Sequence, residues 1–178
     1  PPERVAQHRN RLGESDVDMP TLPVFVLNDL ATGCTCVLPD IDPRRPGNVD
    51  ARAVLAQMRQ EGVTTCSASP SFFDALLRDC VTRGDALPLR ALFTGGAPVL
   101  PALARRLASL PGTSSHVVYG STEAEPIASI PAVEMVAALD SGEPGLCAGR
   151  PVDEIGRGHV WPPVATMKLV CPGWPEWK

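Results

Sequence analysis

Two short segments of the chain carry residue types that could bind a nucleotide. The first consists of Gly95, Gly96, Ala97 and Pro98 and follows an apolar run. Glycine lets a backbone approach a flat ligand closely and adopt positive φ angles, and the Ala-Pro pair adds an apolar wall without bulk. The segment therefore suits the face of a planar base. On these residues alone, a plain strand-to-helix turn is the simpler explanation.

The second segment runs from Tyr119 to Glu123 and begins with the only tyrosine of the chain. The tyrosine ring could stack on a base, and Gly120 permits close approach. The hydroxyl of Thr122 could contact a phosphate oxygen, and the carboxylate of Glu123 is a hard ligand of the kind that Mg²⁺ takes together with substrate phosphates. The alternative is that Thr122 and Glu123 begin a helix on a solvated surface.

The elements that must position these segments alternate between strand-like and helix-like patterns. Strands are predicted at residues 34–38, 63–66, 89–94 and 116–119, with helices over 50–61, from 69 to 84 and from 101. This alternation predicts right-handed βαβ crossovers and a parallel sheet, which is an α/β fold. Ligands bind beyond the carboxyl ends of such strands, so both segments are expected at one edge of the sheet.

Three further elements are predicted with less regular patterns. Residues 22–27 form an apolar run that indicates a buried strand, and residues 132–139 indicate a short helix. Residues 145–151 form a glycine-bearing turn region. Residues 120–123 are predicted to be the exit loop of the strand that contains Tyr119.

Composition excludes several classes of protein. The 178 residues are 44% hydrophobic, which is enough for one packed domain. A net charge of -4 argues against a nucleic-acid partner, and no apolar run approaches the ~20 residues of a transmembrane segment. Six cysteines form no Cys-x-x-Cys pair, so mostly buried free thiols are favoured over a metal site or disulfides. With no signal peptide visible, a cytoplasmic location is the simplest expectation.

The second segment resembles the Tyr-Gly-x-Thr-Glu signature of the adenylate-forming superfamily, which includes acyl-CoA synthetases, peptide-synthetase adenylation domains and luciferases. The first segment resembles the Gly-Gly-Ala-Pro element that precedes this signature, and residues 149–151 resemble the Gly-Arg-Pro turn that follows it. The resemblance covers residues 20–155. It implies an incomplete, parallel-sheet βαβ subdomain of the large N-terminal domain of an adenylate-forming enzyme.

The resemblance also implies roles, with ATP and Mg²⁺ as cofactors. The residues implied to border or stack on the adenine are Gly95, Gly96, Ala97, Pro98 and Tyr119. The reaction implied is attack of a carboxylate on the α-phosphorus of ATP, with release of pyrophosphate. Catalysis of that kind depends on positioning and on neutralisation of charge.

Four residues are implied to act beside the reacting groups. Gly120 and Ser121 would lie near the bound carboxylate. Thr122 would contact the α-phosphate, and Glu123 would hold the Mg²⁺ ion.

The sequence also departs from the family pattern. The phosphate loop ending in Pro-Lys-Gly, the Thr-Gly-Asp element that grips the ribose, and the catalytic lysine of the lid domain have no counterpart in it, which implies a partial chain. Residues 23–26 lack the histidine of the Pro-x-x-His element found in many acyl-CoA synthetases. The β-lactone synthetase branch of olefin biosynthesis also lacks it, and residues 22–46 are similar to that branch. A fatty or β-hydroxy fatty acid is therefore the expected substrate.

The sequence leaves three functional hypotheses open. The first is ATP-dependent activation of a small-molecule carboxylic acid, with CoA, an acyl carrier protein or an internal hydroxyl as second acceptor. The second is a non-catalytic remnant with weak nucleotide binding or none, and the third is an unrelated α/β protein with chance motifs. The predicted organisation is a leading segment (1–20), an AMP-binding α/β subdomain (21–155) and a Pro- and Trp-rich tail (156–178).

Overall fold

A computed structural model describes residues 12–42, 44–45, 48–121, 124–142 and 145–151. Within these residues, seven strands form one sheet in the order β2-β1-β3-β4-β5-β6-β7. The strands are β1 Val17–Pro20, β2 Thr35–Cys36, β3 Thr65–Ala68, β4 Ala91–Thr94, β5 Ser114–Ser121, β6 Ala124–Pro131 and β7 Arg150–Pro151. The helices are α1 Pro23–Thr32, α2 Ala51–Gln60, α3 Pro70–Arg83, α4 Pro101–Ala108 and α5 Ala132–Asp140.

Strands β1 to β5 are parallel to one another, whereas β6 is antiparallel to both of its neighbours, β5 and β7. Helices α2, α3 and α4 connect successive parallel strands, as the alternating pattern predicts. The predicted α/β class with a parallel sheet is therefore confirmed. Every residue of β3 and β4 is buried, which is the usual environment of central strands in such a sheet.

Local sequence signals fix the ends of the helices that lead to the site. The carboxylate of Asp50 accepts hydrogen bonds from the backbone N–H groups of Arg52 and Ala53 at the start of α2. The hydroxyl of Ser69 accepts a hydrogen bond from the N–H of Phe72, and Pro70 occupies the first position of α3. These capping residues agree with the sequence prediction.

The core is one apolar cluster between the helices and the sheet. Met19 from β1, Leu92 from β4 and Phe72 from α3 are fully buried in it. Helix α5 contributes Met135, which is 1% exposed. The predicted helix at residues 132–139 is therefore confirmed, and it packs against α4, β5 and β6.

The prediction of a buried strand at residues 22–27 is wrong, because this stretch lies in α1. Pro23 occupies the first turn of the helix, where proline needs no backbone donor. The apolar side chains of Val24 and Leu27 are exposed, whereas Asp29 is buried. The helix thus exposes apolar side chains and buries a carboxyl group, which is the reverse of the usual arrangement. An apolar run in the sequence does not predict such a helix.

The structure also has three strands that the sequence pattern did not predict. The shortest, β7 (Arg150–Pro151), lies in the predicted turn region at residues 145–151. Strand β1, Val17–Pro20, lies within the predicted leading segment and sits between β2 and β3. Strand β6, Ala124–Pro131, pairs with β5 as an antiparallel hairpin. Because β5 continues through Ser121, the prediction of an exit loop is wrong for Gly120 and Ser121.

The five cysteines of the described part are free thiols, and all but Cys36 are buried. This matches the predicted buried thiols. No helix among the described residues is long and apolar enough to cross a lipid bilayer. The predicted tail, 156–178, lies outside the described residues.

Candidate functional site

The two predicted segments lie side by side because β4 and β5 are parallel neighbours in the sheet. Thr94, the last residue of β4, is in register with Val117 of β5. Gly95 therefore begins the loop after β4 beside Val118, one residue before Tyr119. Residues 95–98 and the described part of the second segment, residues 119–121, therefore lie at the same edge of the sheet.

Each glycine of the first segment meets a different structural requirement. A Cβ atom on Gly95 would lie 2.5 Å from the carbonyl oxygen of Val118, so only glycine lets the loop pack this closely on β5. Gly96 has open space around it but adopts φ +76°, which L side chains rarely adopt. Gly95 thus sets the distance between the segments, and Gly96 turns the chain away from the strand.

One pocket of about 230 Å³ brings the two segments together. Its lining consists of Gly96, Ala97, Pro98, Val99, Val117, Val118, Tyr119, Gly120, Met135, Leu146, Cys147 and Ala148. Five of the residues predicted from the sequence share this pocket, while Gly95 packs behind it against β5. Ser121 is exposed at the end of β5 and is not part of the lining.

The pocket is neutral and mainly apolar. Gly96, Ala97 and Pro98 are exposed and form its rim, whereas Met135 and Cys147 are buried in its interior. None of the lining side chains is charged, so hydrogen bonds to a ligand would come from backbone groups, from the Tyr119 hydroxyl or from the thiol. Pockets for whole drug-sized ligands are ~300–1,000 Å³. This smaller pocket suits one flat, uncharged portion of a larger ligand.

The predicted phosphate and metal residues, Thr122 and Glu123, lie outside the described residues. Their positions in the chain place them directly after β5, whose last residue Ser121 is exposed. The hydroxyl of Thr122 is suited to donate a hydrogen bond to a phosphate oxygen, and the carboxylate of Glu123 is a ligand type that Mg²⁺ takes. Their roles stay predictions.

Sequence reasoning missed the inner wall of the pocket, which comes from α5 and from residues 146–148. The antiparallel strands β6 and β7 return the chain to the sheet and place this wall against β5. The sequence feature that could have indicated this wall is Gly149. The structure shows why glycine is needed there, since a Cβ atom would lie 2.5 Å from the carbonyl carbon of Ser129. A glycine required at that point fixes the approach of the preceding residues to the pocket.

Comparisons with known proteins identify a family, sequence relatives and solved structures of similar fold. The family model described as AMP-binding enzyme matches residues 8–161. An olefin beta-lactone synthetase from Xanthomonas campestris pv. campestris is 38% identical over 141 residues, covering 76% of this chain and 25% of the relative. The synthetase of the same name from Stenotrophomonas maltophilia is 36% identical over 139 residues, covering 75% and 24%.

A solved structure of similar fold is that of o-succinylbenzoate CoA synthetase from Bacillus subtilis in complex with the acyl-adenylate intermediate OSB-AMP. It has a TM-score of 0.66 and 21% identity and covers 85% of this chain and 30% of that one. Another structure of that synthetase, with a TM-score of 0.63 and 21% identity, holds ATP and a magnesium ion and has the same coverage.

The chain spans about a quarter of the length of the curated relatives it matches. The family match extends over most of the sequence and includes both pocket segments. The fold agrees with it, since the solved structures that share this architecture cover 85% of the chain. The chain therefore belongs to the AMP-binding enzyme family.

Proposed function

We propose that the protein to which this chain belongs activates a carboxylic acid with ATP, forming an acyl-adenylate and releasing pyrophosphate. The observation that carries the proposal is the shared pocket of Gly96 and Tyr119, which is neutral and sized for one flat group. The AMP-binding family match supports a nucleotide as that ligand. Chance motifs on an unrelated fold, the third hypothesis, would not bring these residues together.

In this proposal the adenine lies between the loop at residues 96–98 and the ring of Tyr119. Gly95 keeps that loop against β5, so the width of the slot is set by backbone packing. The nucleotide phosphates then extend toward Thr122 and Glu123. Magnesium, when bound there, neutralises charge on the phosphates. The role of the chain is to orient the α-phosphorus toward the carboxylate of the acid. Correct orientation alone substantially lowers the activation free energy of this attack.

The acid is proposed to be a fatty or β-hydroxy fatty acid. Support comes from the two olefin beta-lactone synthetases that this chain resembles. The acceptor of the acyl group is left open among CoA, an acyl carrier protein and an internal hydroxyl.

A second candidate is a non-catalytic chain with weak nucleotide binding or none. It is favoured for the 178-residue chain taken alone, which spans a quarter of its relatives and whose sequence includes no phosphate loop of the family type. Turnover by the 178-residue chain alone would exclude this second candidate.

Removing the ring of Tyr119 should weaken AMP binding about tenfold, since stacking of a base on an aromatic side chain contributes ~1–3 kcal/mol. Isothermal titration calorimetry of the full-length protein with AMP and Mg²⁺ measures this for the wild type and Tyr119→Ala. The control is Val81→Ala, which truncates a side chain 75% exposed on α3. Equal affinities for wild type and Tyr119→Ala would exclude the ring from the site.

Glu123→Gln should lower ATP–pyrophosphate exchange by about 10²-fold, the usual effect of losing one key electrostatic group. The assay uses the full-length protein with a fatty acid, and exchange should depend on that acid. The matched control is Glu134→Gln on α5, because Glu134 is exposed and is not among the pocket residues. An unchanged rate would remove Glu123 from the mechanism, and exchange without any acid would contradict acid activation.

A further inference from the structure

The pocket has an open rim and a closed inner end, and one side chain of α5 lies at the closed end. Met135 is 1% exposed although it lines the pocket, so its side chain separates the pocket from the core. Helix α5 packs against both β5 and β6, and Met135 lines the same pocket and belongs to the same apolar core as Val117 of β5. The position is fixed by the fold rather than by a loop.

The other interior residues are poorly suited to control pocket size. Cys147 and Ala148 are small, and Val99 and Val117 are β-branched, with few accessible rotamers. Met135 is long, unbranched and able to fill an irregular gap. Removing the atoms beyond its Cβ would extend the existing pocket, rather than create a sealed cavity.

We infer that Met135 sets the size limit of the base pocket and so determines which purine nucleotides the site accepts. This inference rests on the proposed function, because it takes the ligand to be an adenine nucleotide. The pocket has room for the base alone, so the ribose, which joins adenine at N9, and the charged phosphates lie outside it, beyond the exposed rim at residues 96–98. The edge opposite N9, which carries N6, therefore enters first and faces the end closed by Met135.

In this orientation, a change at Met135 should affect the affinity for nucleotides substituted on N6 but not for nucleotides substituted on C8. A substituent on N6 would extend toward the methionine, while one on C8 lies beside the ribose and near the rim. An apolar pocket discriminates one additional methylene group by about 10–200-fold. A bulky N6 group should therefore be excluded by the wild type and admitted when the side chain is shortened.

The experiment uses the full-length protein and measures the affinities of AMP, N6-benzyl-AMP and 8-bromo-AMP by calorimetry for wild type, Met135→Ala and Met135→Val. We expect Met135→Ala to raise the affinity for N6-benzyl-AMP relative to AMP at least tenfold, with a smaller gain in the same direction for Met135→Val. The relative affinity for 8-bromo-AMP should stay unchanged. The matched control is Met58→Ala, which truncates a fully buried methionine on α2 outside the pocket.

Failure of this inference is separable from failure of the proposed function. If the wild type binds AMP and folded Met135 variants keep the wild-type ratio of affinities, Met135 does not set the size limit. If Met135→Ala does not fold, the ratio for Met135→Val decides the question. If the wild type binds no AMP, the proposed function fails first and this inference fails with it.

Discussion

Asp18→Asn should raise the free energy of unfolding by about 3 kcal/mol at pH 7.5 and change it little at pH 4. Asp18 lies on β1 with no exposed surface, and burial raises the pKa of its carboxyl to about 6. The hydroxyl of Thr65 donates to its Oδ1, but Oδ2 has no hydrogen-bond donor among the described residues. The charged form is therefore poorly solvated.

The groups that face Asp18 increase this effect. Asp29 from α1 is also fully buried, and burial raises the pKa of its carboxyl as well. The charges of Asp29 and Asp16 each raise the pKa of Asp18. The thiols of Cys36 and Cys66 lie close enough that the charge of Asp18 raises the pKa of each, after burial as the main cause. The charge of Arg90 also interacts with Asp18, but the guanidinium donates hydrogen bonds to Asp16.

The sign of the pH dependence follows from these shifts. An acid whose pKa is raised on folding stabilises the folded state fully below its unfolded pKa of 3.8, and this stabilisation is lost as pH rises to about 6. One pKa unit corresponds to about 1.36 kcal/mol, which gives a loss of about 3 kcal/mol for Asp18. Asparagine keeps the shape and an acceptor for Thr65 without titrating.

Asp16 provides a control of opposite sign two residues away. Its carboxylate accepts two hydrogen bonds from the guanidinium of Arg90, at 2.8 and 2.5 Å, and another from Thr64. The side-chain hydrogen bond with Arg90 is the main cause that lowers the pKa of Asp16. Asp16→Asn should therefore destabilise the protein at pH 7.5, and this effect should fade as pH falls.

Urea unfolding followed by circular dichroism at pH 4, 5, 6 and 7.5 measures both variants against the wild type. The difference between Asp18→Asn and wild type should grow with pH and level off above about pH 7. A difference that is constant across this range, or an Asn variant less stable than the wild type at pH 7.5, would show that Asp18 is not a buried, raised-pKa carboxyl.

The same pair of aspartates shows why β1 was not predicted from the sequence. Asp16 and Asp18 make residues 16–20 look like a polar segment, whereas the partners that allow their burial, Arg90 and Thr65, lie far along the chain. The parallel strands β3 and β4 were predictable because their burial is expressed locally, as runs of apolar and β-branched residues. Long-range pairing of a charge leaves no such periodic signal.

The candidate site likewise has one part that could be predicted from the sequence and one part that could not. Residues 95–98 and 119–120 could be predicted because each lies at the end of a predicted strand, and adjacent parallel strands bring such ends together. The inner wall could not, because it depends on the antiparallel return through β6 and β7. A strand that contains proline within its length, such as Ala124–Pro131, does not look like a strand in the sequence, because proline cannot donate a hydrogen bond to a neighbouring strand.

Gly149→Ala should lower the free energy of unfolding by about 3 kcal/mol and weaken AMP binding. Gly149 adopts φ +91°, and a Cβ atom there would lie 2.5 Å from the carbonyl carbon of Ser129 and 2.7 Å from the Cβ of Ile130. The left-handed conformation costs an L residue about 1–2 kcal/mol, and overpacking adds about 1–3 kcal/mol. Both contacts are with β6, whose backbone is held by β5 and β7 and cannot move freely.

Two other glycines separate the two contributions to this cost. Gly84 ends α3 at φ +64° with no described atom within 4 Å of an added Cβ, so Gly84→Ala should cost only the conformational ~1 kcal/mol. The φ angle of Gly95 lies outside the left-handed region, and an added Cβ would collide with Val118. Gly95→Ala should therefore show the steric cost alone. Gly149→Ala should approach the sum of the two.

Urea unfolding and AMP calorimetry on the three variants distinguish stability from site geometry. Gly84→Ala should bind AMP like the wild type, because its helix end is not part of the pocket. Gly149→Ala should bind AMP less tightly even where it is fully folded, since any shift of the chain at residue 149 moves residues 146–148, which form the inner wall. A Gly149→Ala protein as stable as Gly84→Ala would mean that β6 can yield at Ser129, and the inner wall would then not be held in place by this glycine.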